Sequence, residues 1–125
     1  MKLIVIVPAY NAEKFIERAV RSVWTQTLPA ERIELLIVDD GSTDGSFEAL
    51  REIHRRDDNV IAIRFRRNFG QTAAFAAGFN RARGEVVVTM DADLQNDPAD
   101  IPRLLEKMAE GYDVVSGWRA HRHDA

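Results

Sequence analysis

The stretch Val86-Val87-Val88-Thr89-Met90-Asp91-Ala92-Asp93-Leu94-Gln95 decides how this chain is read, because a strand-like run leads straight into two carboxylates one residue apart. The β-branched and apolar succession up to Met90 fits a buried strand. An extended backbone sends alternate side chains to opposite faces, so Asp91 and Asp93 point the same way with small Ala92 between them. Two carboxylates at such range repel and hold a proton unless a cation lies between them. A hard divalent ion is the fitting cation. Mg2+ takes one or two protein carboxylates and completes its shell with water and substrate phosphates, so the motif points to a metal-bridged phosphate ligand.

Working outward, five short apolar runs alternate with four helical patterns. Residues 3–7, 34–38, 60–65, 85–90 and 113–116 are rich in Val and Ile and end at turn residues, as buried parallel strands do. Between the first two, Phe15, Ile16, Ala19, Val20, Val23 and Trp24 recur at helical spacing, with Asn11 placed as the cap. A second helix is expected over about 44–56, through Phe47, Leu50 and Ile53. A third covers about 71–82, where alanines permit close packing and Gly84 follows as a stop. A fourth begins near Pro98 to Pro102, carries Ile101, Leu104, Leu105 and Met108, and ends at Gly111. This β-α-β-α-β-α-β-α-β order predicts an α/β fold, a mostly parallel sheet with helices on both faces. Ligands of such folds sit beyond the carboxyl ends of the strands, where strand order reverses. Four polar segments fall at that edge: Pro8 to Asn11, Asp39 to Gly45, Arg66 to Gln71, and Asp91 to Gln95. The last eight residues, from Trp118 on, lose all pattern.

Length and composition bound the rest. A chain of 125 residues, 46% hydrophobic, fits one compact domain over 1–125 with a real core. The formal charge of −3 argues against nucleic acid as a partner, although 14 of the 17 basic residues are Arg, which suits phosphate recognition at particular points. Arg64, Arg66 and Arg67 are the clearest such cluster. With no cysteine, disulfides and thiolate metal sites are excluded, which is compatible with a reducing cytoplasm. The apolar runs are too short to span a bilayer, and the N-terminal run is a first strand rather than a signal peptide.

Each motif has a plain structural reading beside the functional one. Asp39-Asp40-Gly41-Ser42 is ordinary turn and cap chemistry, or else one carboxylate accepts from a nucleobase N–H while Gly41 lets a ligand approach the backbone. Tyr10 either caps the core or stacks on a base. Arg66, Arg67, Asn68 and Gln71 form either a solvated loop or, with a helix beginning near Gly70, a phosphate cradle. Only for Asp91 and Asp93 does capping fail as an explanation. Trp24 belongs to the core, His54 to the surface, and His121 with His123 lacks the further ligands a metal site needs.

Together, Val7-Pro8-Ala9-Tyr10-Asn11, Val38-Asp39-Asp40-Gly41-Ser42-Thr43-Asp44-Gly45, Arg67-Asn68-Phe69-Gly70-Gln71, Met90-Asp91-Ala92-Asp93-Leu94-Gln95 and Val115-Ser116-Gly117-Trp118-Arg119 resemble the family 2 glycosyltransferases. The wording of the third and fourth segments is most similar to the branch that acts on dolichol or undecaprenyl phosphate. The resemblance implies the Rossmann-like, nucleotide-binding half of a GT-A fold, truncated at its C-terminal end. It implies that Pro8, Tyr10 and Asp40 frame the base with a backbone contact from Val38, that Ala9, Asn11, Glu13, Gly41, Arg66, Asn68 and Gln71 belong to the same nucleotide-sugar site, that Arg119 reaches the donor phosphate or sugar, and that Asp91, Ala92 and Asp93 hold the diphosphate. Asp91 and Asp93 would be the catalytic and metal-ligating pair, through Mg2+ or Mn2+, with Gln95 a further ligand. Ala12 stands where relatives often carry a Glu, a role Glu13 would take over.

The implied reaction is metal-dependent transfer of a sugar from a UDP- or GDP-sugar, by displacement at the anomeric carbon, to a polyprenyl phosphate or a glycan. The implied place is the cytoplasm, at the cytoplasmic face of a membrane, reached through segments outside this chain or a partner. An exposed sheet edge could drive a homodimer. Three rivals remain: a nucleotide-sugar-binding module without turnover, a fragment, and a receiver-like signalling domain of similar length. A dinucleotide-binding dehydrogenase is excluded by the absence of Gly-x-Gly-x-x-Gly after strand one.

Overall fold

The computed structural model describes residues 2–25, 29–82, 86–91 and 100–115 of the chain. Four strands, β1 (Leu3–Ala9), β2 (Ile33–Asp39), β3 (Val60–Arg64) and β4 (Val86–Thr89), alternate with helices α1 (Ile16–Trp24), α2 (Ser46–Arg56), α3 (Gln71–Arg81) and α4 (Ile101–Met108). All pairings are parallel, in the order β3-β2-β1-β4. That order differs from the 2-1-3-4-5 arrangement of receivers, which removes the receiver-like reading. The anticipated fifth strand is a correction: residues 113–115 pair with no strand among the described residues, Val114 is 84% exposed, and residue 116 lies outside them. Two apolar residues in a row supply too little burial to hold a strand without a neighbour to pair with.

Side-chain alternation divides the core. Leu3, Val5, Val7 and Ala9 of β1, with Ile33, Leu35 and Ile37 of β2, face Ile16, Val20 and Val23 of α1, Leu50 and Ile53 of α2, and Ile101 of α4. Ile4, Ile6 and Leu36 face the other way, toward Phe75 of α3. Helices therefore cover both faces. Alternation follows from the extended backbone alone, which is why β1 and β2, buried on both sides, are apolar at nearly every position.

Two residues set the shape of the carboxyl edge. In β1 the even-numbered residues face β4, since Met90 N–H donates to Ile6 O at 2.9 Å and Val86 N–H to Lys2 O at 3.4 Å. Pro8 is next in that series and has no N–H to give, so the β1–β4 ladder, in register from Leu3↔Val86 to Ile6↔Thr89, stops there. This is the point where the chain, having run outward to β3, returns to the far side of β1, and sheets with such a switch open a ligand crevice there, here between β1 and β4. On the opposite face Gly78 lets α3 lie close on β1, where a Cβ would sit 2.6 Å from Ile6 Cγ2.

Gly78→Ala is accordingly expected to destabilise the fold despite the better helix propensity of alanine. Overpacking against a buried branched side chain costs about 1–3 kcal/mol, against roughly 1 kcal/mol regained from propensity. Urea unfolding of Gly78→Ala and Gly78→Leu should show a graded loss; an unchanged midpoint for Gly78→Leu would refute this packing.

Candidate functional site at the carboxyl edge

The loop after β1 is bound to the loop after β2 by a set of long-range hydrogen bonds. Asn11, at φ 49, donates its N–H to Ser42 Oγ at 2.9 Å and accepts from Thr43 N–H on Oδ1 at 2.8 Å. Ala12 N–H donates to Ser46 Oγ at 2.9 Å, and Glu13 N–H to Asp44 Oδ2 at 3.2 Å. Glu13 answers by accepting Gly45 N–H on Oε2 at 3.1 Å. Asn11 is therefore not the cap of α1, which starts at Ile16 after a turn closed on Ala12 O; this corrects the expectation from sequence. Its side chain is occupied by Thr43, and an Asn tolerates the left-handed conformation that such a crossing requires. Burial raises the Asp44 carboxyl, but hydrogen bonds from the Ser46 hydroxyl and N–H, from Glu13 N–H and from its own N–H outweigh it and hold the group below its ordinary value of 3.8.

A second set fixes the loop after β3. Asp40, only 4% exposed, accepts Phe69 N–H on Oδ1 at 2.8 Å, and Gly70 N–H and Asn68 Nδ2 on Oδ2 at 3.1 and 3.2 Å. Asn68 Nδ2 also reaches Asp40 O at 3.2 Å. Gly41, at φ 72, packs directly on this loop, and a Cβ there would lie 2.0 Å from Arg67 C. The space at Gly41 is filled by the chain's own backbone. Asp39 is fully buried, and while its Oδ1 accepts Ser42 N–H at 3.1 Å, its Oδ2 is the one buried side-chain polar atom without a partner among the described residues. Val38 lies inside the sheet, in register with Pro8 and Ile63.

Across the crevice stands Asp91, just past β4. Gln71, the first residue of α3, donates Nε2 to Asp91 Oδ1 at 3.0 Å. Asp91 is a hard oxygen donor, the type that Mg2+ or Mn2+ selects. Ala92, Asp93, Gln95 and Arg119 lie outside the described residues, as do His121 and His123. Tyr10 is 50% exposed and so does not cap the core. Of the arginine cluster, Arg64 stacks on Phe47 at 4.3 Å and Arg67 on Phe69 at 4.6 Å, while Arg66 lines an open cleft of about 310 Å³ with Gly41, Ser42 and Phe65. That cleft lies over β2 and β3, whereas Tyr10 and Asp91 lie over β1 and β4; topology favours the latter as the ligand crevice.

The family profile described as Glycosyl transferase family 2 matches residues 4–125. The chain belongs to glycosyltransferase family 2. Undecaprenyl-phosphate 4-deoxy-4-formamido-L-arabinose transferases are among its curated relatives: the Pseudomonas aeruginosa protein is 46% identical over 123 residues, and that of Proteus mirabilis 47% over 129. These alignments take in 97% and 99% of this chain but 36% and 39% of the relatives, so the chain spans little more than a third of their length. Solved neighbours are GT-A glycosyltransferases. S. aureus TarS 1-349 in complex with UDP-GlcNAc superposes with a TM-score of 0.75 at 30% identity, over 88% of this chain and 32% of that one. The mannosyltransferase PcManGT from Pyrobaculum calidifontis, in complex with GDP-Man and Mn2+, gives 0.68 at 31% identity over 74% of this chain and 27% of that one.

In this family 2 chain Pro8, Ala9, Tyr10 and Asn11 follow one another at the carboxyl end of β1, and Gln71 at the start of α3 is joined to Asp91 past the end of β4. Asn68 and Glu13 are engaged with Asp40 and Gly45. Sequence reasoning passed over Ser42, Thr43, Asp44 and Ser46 as partners of the first loop, because turn-forming residues identify a turn but not the segment, some thirty positions away, that it will bind.

Gly41→Ala should displace residues 67–70, at a cost of roughly 1–3 kcal/mol in backbone strain alone; hydrogen exchange at Phe69 and Gly70 N–H should rise well above that at Leu36, and equal protection would contradict the close approach. For Asp44 the sign is fixed by its lowered value: its stabilisation is complete above the unfolded carboxyl value and is lost as pH falls through the folded one, so the advantage of the wild type over Asp44→Asn should shrink from about pH 5 toward pH 3. A difference independent of pH in urea unfolding would show that the carboxylate charge plays no part.

Proposed function

We propose that this chain forms the donor-binding part of a metal-dependent glycosyltransferase that holds a UDP- or GDP-sugar across the carboxyl ends of β1 and β4 and passes the sugar to a polyprenyl phosphate at the cytoplasmic face of a membrane. The observation that carries this reading is Asp91 just past the carboxyl end of β4, the strand beside β1, in a chain 46% identical to undecaprenyl-phosphate 4-deoxy-4-formamido-L-arabinose transferases. Tyr10 offers an open ring on which a base can stack. Asp40 has three of its four lone-pair sites filled and keeps one, on Oδ1, for a single base N–H. Asp91, with Asp93 and Gln95, would hold Mg2+ or Mn2+, and Arg119 would approach the donor phosphate or sugar. When bound, that cation stabilises the charge that develops on the leaving nucleoside diphosphate. A polyprenyl phosphate oxygen is already anionic, so attack on the anomeric carbon asks little of a general base.

Calorimetric titration of UDP and GDP, with and without Mn2+, tests the reading. One nucleotide should bind in a Mn2+-dependent manner, and Asp91→Ala and Asp93→Ala should each weaken it at least about tenfold, roughly 1.4 kcal/mol. A folded sample that binds neither nucleotide would overturn the assignment, and transfer to undecaprenyl phosphate then separates turnover from binding alone.

A further inference from the structure

The bond from Gln71 Nε2 to Asp91 Oδ1 has no evident structural purpose. Gln71 opens α3 but takes no part in capping it: the residue before the helix, Gly70, makes no side-chain cap bond, and its N–H is bound by Asp40 instead. An exposed amide–carboxylate bond across 20 positions adds little to stability, since water competes for both partners. What it does supply is direction. The carboxylate of Asp91 stands just past the end of β4, and a donor at 3.0 Å on its Oδ1 favours rotamers turned toward the start of α3.

The start of α3 is itself held firmly, because Asp40 binds Asn68, Phe69 and Gly70 and Gly41 packs against Arg67. Gln71 therefore reaches out from a fixed base. Its chemistry also suits this role, because a neutral amide orients a carboxylate without cancelling its charge, whereas a Lys or Arg in its place would compete with a cation for the same oxygens.

We propose that Gln71 is a positioning residue, whose amide fixes the Asp91 carboxylate so that it presents its oxygens to the divalent cation and donor diphosphate. This rests on the donor-site reading above and assigns Gln71 a role through Asp91 rather than through the nucleotide.

The test is Mn2+ affinity, read by electron paramagnetic resonance of free Mn2+ in the presence of whichever of UDP or GDP binds. Gln71→Ala should weaken Mn2+ by about tenfold, the usual effect of losing a group that orients a metal ligand. Gln71→Lys should weaken it further, with the urea midpoint of both variants close to that of the wild type. In an Asp91→Asn background, Gln71→Ala should add no further loss. As an independent signature, the Gln71 side-chain amide resonances should shift when Mg2+ and nucleotide are added, and should not in Asp91→Asn. An undiminished affinity in Gln71→Ala, or the same loss in both backgrounds, overturns the inference while leaving the donor site standing. A wild type that shows no metal-dependent nucleotide binding overturns both.

Discussion

The carboxyl edge depends on one buried carboxylate. Asp40 accepts from three donors on the loop after β3, and so gathers both backbone and side-chain N–H groups from a segment almost thirty positions away. Its own position follows from the sheet, because Asp40 N–H continues the β1–β2 ladder onto Ala9 O at 2.8 Å. The loop after β3 is in this way indexed to the two central strands, and through Phe65 N–H on Asp39 O at 2.8 Å the edge strand is drawn in as well. A buried carboxylate with unmet lone pairs is costly, so the loop's N–H groups and the acid each need the other. Gly41 makes the arrangement possible by leaving room for Arg67 backbone at a distance no side chain permits.

Strand alternation, helix order, the apolar core and the gathering of the polar loops at the carboxyl edge were legible in the sequence, since each arises from local periodicity and the rules of parallel sheets. The four strands and four helices fall where periodicity places them, to within a few residues at their ends. The fifth strand failed because Val114 and Val115 satisfy a composition rule without the neighbour that gives a strand its stability. Asn11 failed as a cap for a related reason: a residue suited to capping is equally suited to a left-handed crossing, and Thr43 competes for its side chain successfully. Of the site, the acids were visible as types. Which acid serves the fold and which stands past β4 joined to α3 was not, because that depends on partners 20 to 32 positions away.

The treatment of charge separates these roles. Exposed ion pairs run along single helices, as between Arg55 and Glu52 or Lys107 and Glu110, or join α2 to α1, as between Arg56 and Glu17. The acids at the carboxyl edge are handled otherwise: Glu13, Asp40 and Asp44 are each met by backbone N–H groups, which lower the cost of the charge without neutralising it. Two nearby guanidinium groups are stacked on Phe47 and Phe69 instead of pairing with those carboxylates. A loop architecture that meets its carboxylates with N–H groups thus ties the three loops to one another while those acids keep their charge.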